Sequence, residues 1–176
     1  DGTITAIDCE AISNQGGYAS HGHSIGGKGG GFINALYRTE NLRYAAKTVY
    51  TNTGVAGAMR GYGIPQVMYA IESIMEDVAR KIDMDPIEFR IQNRRAEGDY
   101  NEITRINMFH NKLTECLEEG REKFEWDRKK KEHLAYKDGV KRRGVGVGTF
   151  AYGTGTYPFG LEVAGARLIL IQDGCF

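Results

Sequence analysis

Apolar residues recur at helical spacing in the middle of the chain and alternate with polar residues near its two ends. Over residues 65–82 they recur every three or four positions, which predicts an amphipathic helix. The positions on its apolar face are Val67, Ile71, Ile74, Met75, Val78 and Ile82. The acidic residues lie toward the opposite face, so we expect this helix to pack against a core.

A second helix is predicted to follow Asp85 and to end near Arg95. Asp85 is a favourable N-cap, Pro86 suits the first helical position, and Glu88 is placed to complete a capping box.

A third helix is predicted over residues 111–119, with Cys116 facing the core. We expect Gly120 to interrupt it before helix resumes over residues 124–134, with Phe124 and Trp126 as anchors.

Both ends of the chain are predicted to contain strands. Residues 3–13 and 164–172 alternate, 46–50 are predicted to be a short strand entering the next loop, and 143–151 intersperse valines with glycines. Residues 16–31 carry many glycines and are predicted to be a loop. The fold class is therefore α+β, with strands at both ends and a helical middle. We divide this single unit into residues 1–63, 64–137 and 140–176.

Composition and charge narrow the function classes. The 176 residues carry 23 basic and 23 acidic side chains, and this balance argues against a nucleic-acid or membrane-surface partner. The longest apolar run, residues 168–171, is too short to span a bilayer. Three widely spaced cysteines exclude a disulfide framework and favour a cytoplasmic location. His21 and His23 could share a metal, but we favour a polar, mobile loop for them.

The stretch over residues 51–66, TNTGVAGAMRGYGIPQ, is the strongest candidate for a binding site. Its glycines allow the backbone to approach a ligand closely, and it leads directly into a predicted helix, whose free N–H groups favour anions. The planar guanidinium of Arg60 can form bidentate hydrogen bonds with a phosphate or a carboxylate. The order of the glycines fits neither a Walker loop nor a dinucleotide fingerprint. A glycine-rich connection between a strand and a helix remains an alternative.

The same stretch resembles a segment of the molybdenum-binding subunit of the xanthine dehydrogenase/aldehyde oxidase family, T-N-x-x-x-x-x-A-[FM]-R-G-[FY]-G-x-P-Q. The matching positions are Thr51, Asn52, Ala58, Met59, Arg60, Gly61, Tyr62, Gly63, Pro65 and Gln66. Residues 14–18, 41–44, 97–99 and 143–147 resemble further parts of that family in the same order. The resemblance therefore extends along nearly the whole chain.

The resemblance implies a role in a molybdenum hydroxylase that oxidises an aromatic heterocycle, an aldehyde or a related small molecule with water-derived oxygen. It implies a molybdenum–molybdopterin cofactor, with or without an attached cytosine nucleotide, and iron–sulfur clusters and FAD on partner domains or subunits. The chain is short for the family, begins without methionine and stops within an apparent strand. We therefore expect a fragment that needs the remainder of the molybdenum subunit and is inactive alone. A non-catalytic binding module derived from the same fold is the alternative.

The resemblance also assigns candidate roles to individual residues. Ala58, Met59, Arg60 and Gly61 match cofactor-binding positions. Three residues match the substrate pocket: Tyr62, Thr156 and Lys28. No catalytic residue and no direct metal ligand is expected within this chain.

Two departures from the family affect the expected substrate. Counting upstream from Arg60, the arginine of purine-oxidising members corresponds to Lys28, and the family's second aromatic residue corresponds to Gly155. Both changes weaken the case for a purine substrate.

Overall fold

The computed structural model describes residues 1–101, 105–153 and 163–174. Helices and strands both occur, which confirms the mixed α+β class. The strands are β1 (Ala6–Gly16), β2 (Asn41–Tyr50), β3 (Tyr100–Asn101) and β4 (Ile106–Asn107). The helices are α1 (Gly22–Gly30), α2 (Ile64–Lys81), α3 (Pro86–Asn93), α4 (Leu113–Phe124) and α5 (Trp126–Ala135).

Strands β1 and β2 pair in parallel, and helix α1 forms the crossover between them. The register runs from Ala6 opposite Asn41 to Asn14 opposite Val49, with an irregularity before Gly16. Parallel neighbours need such a crossover, since a tight hairpin would reverse the chain. The carboxyl ends of both strands therefore lie at the same edge of the sheet.

The two faces of this sheet differ in polarity. Across one exposed face, Arg43 bonds Asp8 at 2.7 Å and Lys47 bonds Glu10 at 3.0 Å. The other face contributes apolar side chains to the main core: Ile7, Cys9, Leu42 and Tyr44. The alternation of the sequence thus reflects a sheet that is covered on one side.

The prediction of a loop over residues 16–31 is wrong for residues 22–30, which form α1. Five of its nine residues are glycines, which have low helix propensity. Tertiary packing outweighs that cost, because glycines allow neighbouring side chains to pack directly against the backbone of α1. A Cβ on Gly29 would lie 2.7 Å from Val67 Cγ2, and one on Gly30 would lie 2.3 Å from the Tyr44 ring.

Helix α2 confirms the predicted helix over residues 65–82, but its buried face is shifted around the helix axis relative to the expected one. Ile74 and Val78 remain 56% and 37% exposed. The buried positions of α2 are Ile64, Val67, Met68, Ile71, Met75 and Ala79. They pack against Ile33, Leu36, Tyr37 and Phe89.

Helix α3 begins as predicted, with Asp85 as its N-cap. The Asp85 carboxylate accepts a hydrogen bond from the Ile87 N–H at 2.9 Å. It also accepts bonds from Trp126 Nε1 at 3.0 Å and Lys130 Nζ at 2.9 Å. Burial raises the pKa of Asp85, but these donors outweigh it and the net pKa is lowered. Asp85 thereby joins α3 to α5.

The boundary between α4 and α5 lies at Glu125 and not at Gly120. Helix α4 continues through Gly120, since one glycine costs a helix only about 1 kcal/mol. Glu125 has a left-handed φ of 57° and ends it. Trp126 is buried as expected, whereas Phe124 and Cys116 are exposed, so the assignment of Cys116 to the core is wrong.

The expected C-terminal strands are absent from the described residues 140–153 and 163–174. Alternation produces a strand only where a neighbouring backbone completes the hydrogen bonds, and no strand of the described residues lies alongside these segments. Residues 163–174 are exposed throughout.

The segment around Val147 and Thr149 is instead held by a buried polar network. Arg90, which is fully buried, donates to Glu72 Oε2 at 2.9 Å and to the Val147 carbonyl at 3.0 Å. The N–H of Thr149 donates to Glu72 Oε2 at 2.9 Å, and the Tyr37 hydroxyl donates to Glu72 Oε1. Burial, followed by the charge of Glu72, raises the pKa of Tyr37. One carboxylate thus joins α2, α3 and two irregular segments.

Among the described residues, no helix has the length and apolar character needed to cross a membrane.

Replacing Arg90 should destabilise the scaffold strongly. In Arg90→Met the Glu72 carboxylate would lose its buried cation, which should lower the free energy of unfolding by about 3 kcal/mol. Chemical denaturation of the complete subunit measures this change. The matched control is Arg43→Met, which removes an exposed pair worth at most about 1 kcal/mol. Equal effects of the two variants would contradict a central role for the network.

Candidate functional site

The candidate loop, residues 51–63, lies at the edge where β1 and β2 end. Three backbone hydrogen bonds fold it over the end of β1: Thr51 N–H to Gly16 O at 3.1 Å, Gly17 N–H to Thr53 O at 3.2 Å, and Ala56 N–H to Gln15 O at 2.9 Å. In open α/β sheets, ligands bind beyond the carboxyl ends of parallel strands. The position of the loop is therefore that of a binding site.

Five consecutive backbone N–H groups in this loop are free to bind a ligand. Among the described residues, none accepts a hydrogen bond from the N–H of residues 57–61. Most of this stretch is exposed, and the Met59 side chain is 80% exposed. Such a row of unpaired donors suits an anion or the polar edge of a flat molecule.

Arg60 adds a free cation to the row. It is exposed, and its guanidinium forms no hydrogen bond or ion pair with any described residue. Lys28 lies one turn beyond Ser24 on α1, with its Nζ 5.8 Å from the centre of the Phe32 ring. Lys28 is thus on the neighbouring helix. The remaining candidate, Thr156, lies outside the described residues.

The loop ends in three consecutive left-handed residues. Gly61, Tyr62 and Gly63 have φ values of 93°, 49° and 89°. The N–H of Tyr62 bonds Met59 O at 2.8 Å, and the N–H of Ile64 bonds Gly61 O at 3.0 Å. This stretch is therefore a turn.

The Tyr62 side chain reaches back to the first turn of α1. Its hydroxyl lies 2.8 Å from His21 Nδ1 and 2.7 Å from Ser24 Oγ. The His21 and Tyr62 rings meet edge to face, with centroids 6.0 Å apart. Sequence reasoning missed these two partners. The available signal was their spacing of three, which places them on one side of a helix start once α1 is recognised.

Gln15 contributes a buried acceptor near the loop. Only 3% of this residue is exposed, and its Oε1 has no partner among the described residues. A Cβ on Gly22 would lie 2.2 Å from that oxygen, so glycine at the start of α1 makes room for the amide. A buried, unpaired amide oxygen is a suitable acceptor for a donor supplied from outside this chain segment.

The histidines do not form a metal centre with other described residues. In the described ranges no group of three or more histidine, cysteine or acidic side chains could hold an ion. The expectation of a mobile loop for His21 and His23 is wrong, because His21 precedes α1 as its N-cap and His23 lies within it.

Comparison with known proteins gives a consistent result. Residues 1–94 match the family model described as a molybdopterin cofactor-binding domain. The chain is 47% identical over 174 residues to a xanthine dehydrogenase molybdenum-binding subunit of Escherichia coli O157:H7. It is 33% identical over 157 residues to an aldehyde oxidoreductase of Megalodesulfovibrio gigas. These matches cover 99% and 88% of the chain but only 23% and 17% of the relatives.

Solved structures agree with the sequence comparison. The aldehyde oxidoreductase from Desulfovibrio gigas superposes with a TM-score of 0.67 at 33% identity, over 74% of this chain and 14% of that one. Quinoline 2-oxidoreductase from Pseudomonas putida 86 superposes with a TM-score of 0.69 at 19% identity, which shows a shared fold.

A methyl group at Gly63 should disturb the junction of α1 with the loop. In Gly63→Ala the new Cβ would lie 2.4 Å from the Ile25 carbonyl oxygen, in a residue with φ of 89°. The left-handed conformation alone costs about 1–2 kcal/mol, so the free energy of unfolding should fall by at least that amount. The measurement is chemical denaturation of the complete subunit.

Gly120→Ala is the matched control, because nothing lies within 4 Å of its Cβ position in the middle of α4. It should stabilise the protein by up to about 1 kcal/mol. The prediction fails if the two variants change stability in the same direction.

Proposed function

The chain belongs to the molybdopterin cofactor-binding domain family, and on this premise we propose that residues 57–61 form one wall of a molybdopterin site in a molybdenum hydroxylase. The observation that carries the proposal is the row of five N–H groups, with the Arg60 guanidinium, that have no partner among the described residues and lie at the carboxyl edge of the parallel strands. The relatives that the chain resembles are molybdenum-containing oxidoreductases.

The residues present fit the chemical needs of this cofactor. Molybdopterin carries a pterin ring with polar edges and a phosphate on its side chain, which together require several donors and at least one acceptor. The loop offers N–H groups and a guanidinium, and Gln15 Oε1 is a buried acceptor; none of these groups has a partner within residues 1–101, 105–153 and 163–174. When bound, the cofactor supplies oxidation of an electrophilic carbon with oxygen taken from water.

The chain's own residues would bind the cofactor and orient the substrate. Backbone groups of Ala58, Met59 and Gly61 would hold the cofactor's polar edge, and Arg60 would neutralise its negative charge. The Tyr62 hydroxyl is already bonded to α1, so its ring is the part that remains for a planar substrate. The resemblance adds Lys28 and Thr156 to the substrate pocket.

The substrate class follows from the same residues. An aromatic heterocycle or an aldehyde suits a pocket with one aromatic wall, and Lys28 provides a flexible point charge where a planar guanidinium would orient a purine. We propose that iron–sulfur clusters and FAD on partner domains or subunits accept the electrons, and that the enzyme is cytoplasmic. The chain spans 23% and 17% of the length of these two relatives, and we expect the 176 residues alone to be inactive.

Arg60→Ala in the complete subunit tests the cofactor site. Loss of the guanidinium should lower the molybdenum content of the purified enzyme several-fold, because a charged hydrogen bond contributes roughly 1.5–3 kcal/mol. Metal analysis and denaturation curves measure content and stability separately. Arg80→Ala is the control, since Arg80 is an exposed arginine on α2 paired with Asp77. If Arg60→Ala retains molybdenum and turnover as the control does, the proposed site is refuted.

Tyr62→Ala tests the proposed substrate wall. Removing the ring should raise KM about two- to tenfold for planar aromatic substrates, since a ring contact contributes about 0.5–1.5 kcal/mol. The KM for small aliphatic aldehydes should change much less. Steady-state kinetics with both substrate classes, at equal molybdenum content, provides the measurement. An equal change for both classes would show that Tyr62 only packs the loop.

A further inference from the structure

Tyr62 adopts an unfavourable backbone conformation that its side chain must help to maintain. It is a non-glycine residue with φ of 49°, between two glycines that adopt left-handed conformations readily. A bulky residue pays a conformational cost in this region. Glycine would avoid that cost, so the tyrosine side chain compensates through its own contacts.

Those contacts are two hydrogen bonds to one helical turn. His21 Nδ1 and Ser24 Oγ both lie within 2.8 Å of the Tyr62 hydroxyl oxygen, and Ser24 Oγ also bonds the His21 carbonyl at 3.1 Å. A hydroxyl donates once and accepts up to twice, so one neighbour can accept its proton while the other donates to it. The three side chains form a closed polar cluster at the start of α1.

The cluster lies directly beside the row of free N–H groups. Tyr62 follows residues 57–61 without a break, and its N–H closes the turn onto Met59 O. Below it, α1 and the loop are in close contact, because a Cβ on Gly63 would clash with the Ile25 carbonyl and with Ile25 Cγ2. Among the described residues, the Tyr62 hydroxyl provides side-chain hydrogen bonds between the first turn of α1 and the turn that ends the row.

We propose that His21 and Ser24 are positioning residues that hold the Tyr62 hydroxyl and thereby fix residues 57–61 in their binding conformation. We call this arrangement of His21, Ser24 and the Tyr62 hydroxyl the clamp. The nature of the bound ligand rests on the proposed function, but the clamp is a property of this chain. His21 is therefore a tether for the Tyr62 hydroxyl, although its spacing from His23 also allowed a shared metal.

The clamp also bears on specificity. With its hydroxyl committed to α1, the Tyr62 ring has a fixed orientation and cannot turn its polar end toward a substrate. A substrate then meets a ring held by α1, and a loosened ring would bind planar substrates less well. Loss of either partner should act mainly on substrate binding.

Amide hydrogen exchange in the complete subunit tests the clamp without any need for activity. The probes are the N–H groups of Tyr62 and Ile64, which are bonded within the turn. His21→Ala and Ser24→Ala should each accelerate their exchange about fivefold, the effect of losing one ordinary hydrogen bond, and Tyr62→Phe, which removes both bonds, should accelerate it more. Because Tyr62→Phe already removes the bond to His21, His21→Ala combined with Tyr62→Phe should exchange little faster than Tyr62→Phe alone.

Two further variants separate tethering from general damage. His23→Ala is the matched control, since His23 is exposed on α1 and bonds no described residue; it should exchange as the wild type does. His21→Asn places an amide near the position of imidazole Nδ1 and should restore slow exchange in part. Unchanged exchange in His21→Ala and Tyr62→Phe would overturn the clamp, as would equal acceleration by His23→Ala.

Kinetics of the same variants then separates the clamp from the proposed function. In the molybdenum-loaded enzyme, His21→Ala and Tyr62→Phe should raise KM for a planar aromatic substrate about fivefold with kcat nearly unchanged, and His21→Asn should reverse part of this rise. A wild-type subunit that binds no molybdopterin would refute the proposed function, and hydrogen exchange would still decide the clamp. Retained molybdenum with unchanged exchange and unchanged KM in the clamp variants would refute the clamp alone.

Discussion

The close contact between α1 and the start of α2 is the constraint on which the candidate site depends. A Cβ on Gly63 would lie 2.4 Å from the Ile25 carbonyl, and one on Gly29 would lie 3.0 Å from the Gly63 carbonyl. Neither position tolerates a side chain without movement of backbone. The two helices can therefore approach until the loop before α2 lies over the carboxyl ends of β1 and β2, and the free N–H groups gain their position from this contact.

The scaffold and the site use polar groups in different ways. Away from the loop, buried Arg90 and Glu72 satisfy one another and the irregular segment at Val147, which leaves their charges compensated. At the loop, Arg60 and the N–H groups of residues 57–61 have no partner among the described residues. A folded protein leaves donors unpaired where water or a ligand completes them. This contrast supports a binding role for the loop and a role for the Arg90–Glu72 network in stabilising the fold.

Sequence reasoning recovered the elements whose local signals agree with their packing. Helix α2 has a long amphipathic period, and α3 has Asp85 and Pro86 at its start, so both were predicted closely. Helix α1 was missed because glycine has a low helix propensity. Glycine is favoured there only because Val67 and Tyr44 pack too closely for a larger residue, and the sequence does not show these contacts. The C-terminal strands were wrongly predicted because alternation does not reveal whether a partner strand lies alongside. Strand pairing is a property of the whole fold.

The candidate site was predictable to a similar degree. The motif around Arg60 located the loop, since its glycines and arginine are contiguous in sequence. The partners of Tyr62 were not predictable, because His21 and Ser24 lie about 40 residues away and meet it only through the crossover of α1. A resemblance carries over the aromatic ring at this position but says nothing of its hydroxyl. The hydroxyl is where this chain's own structure adds to the family pattern, because it makes the orientation of the ring depend on the first turn of α1.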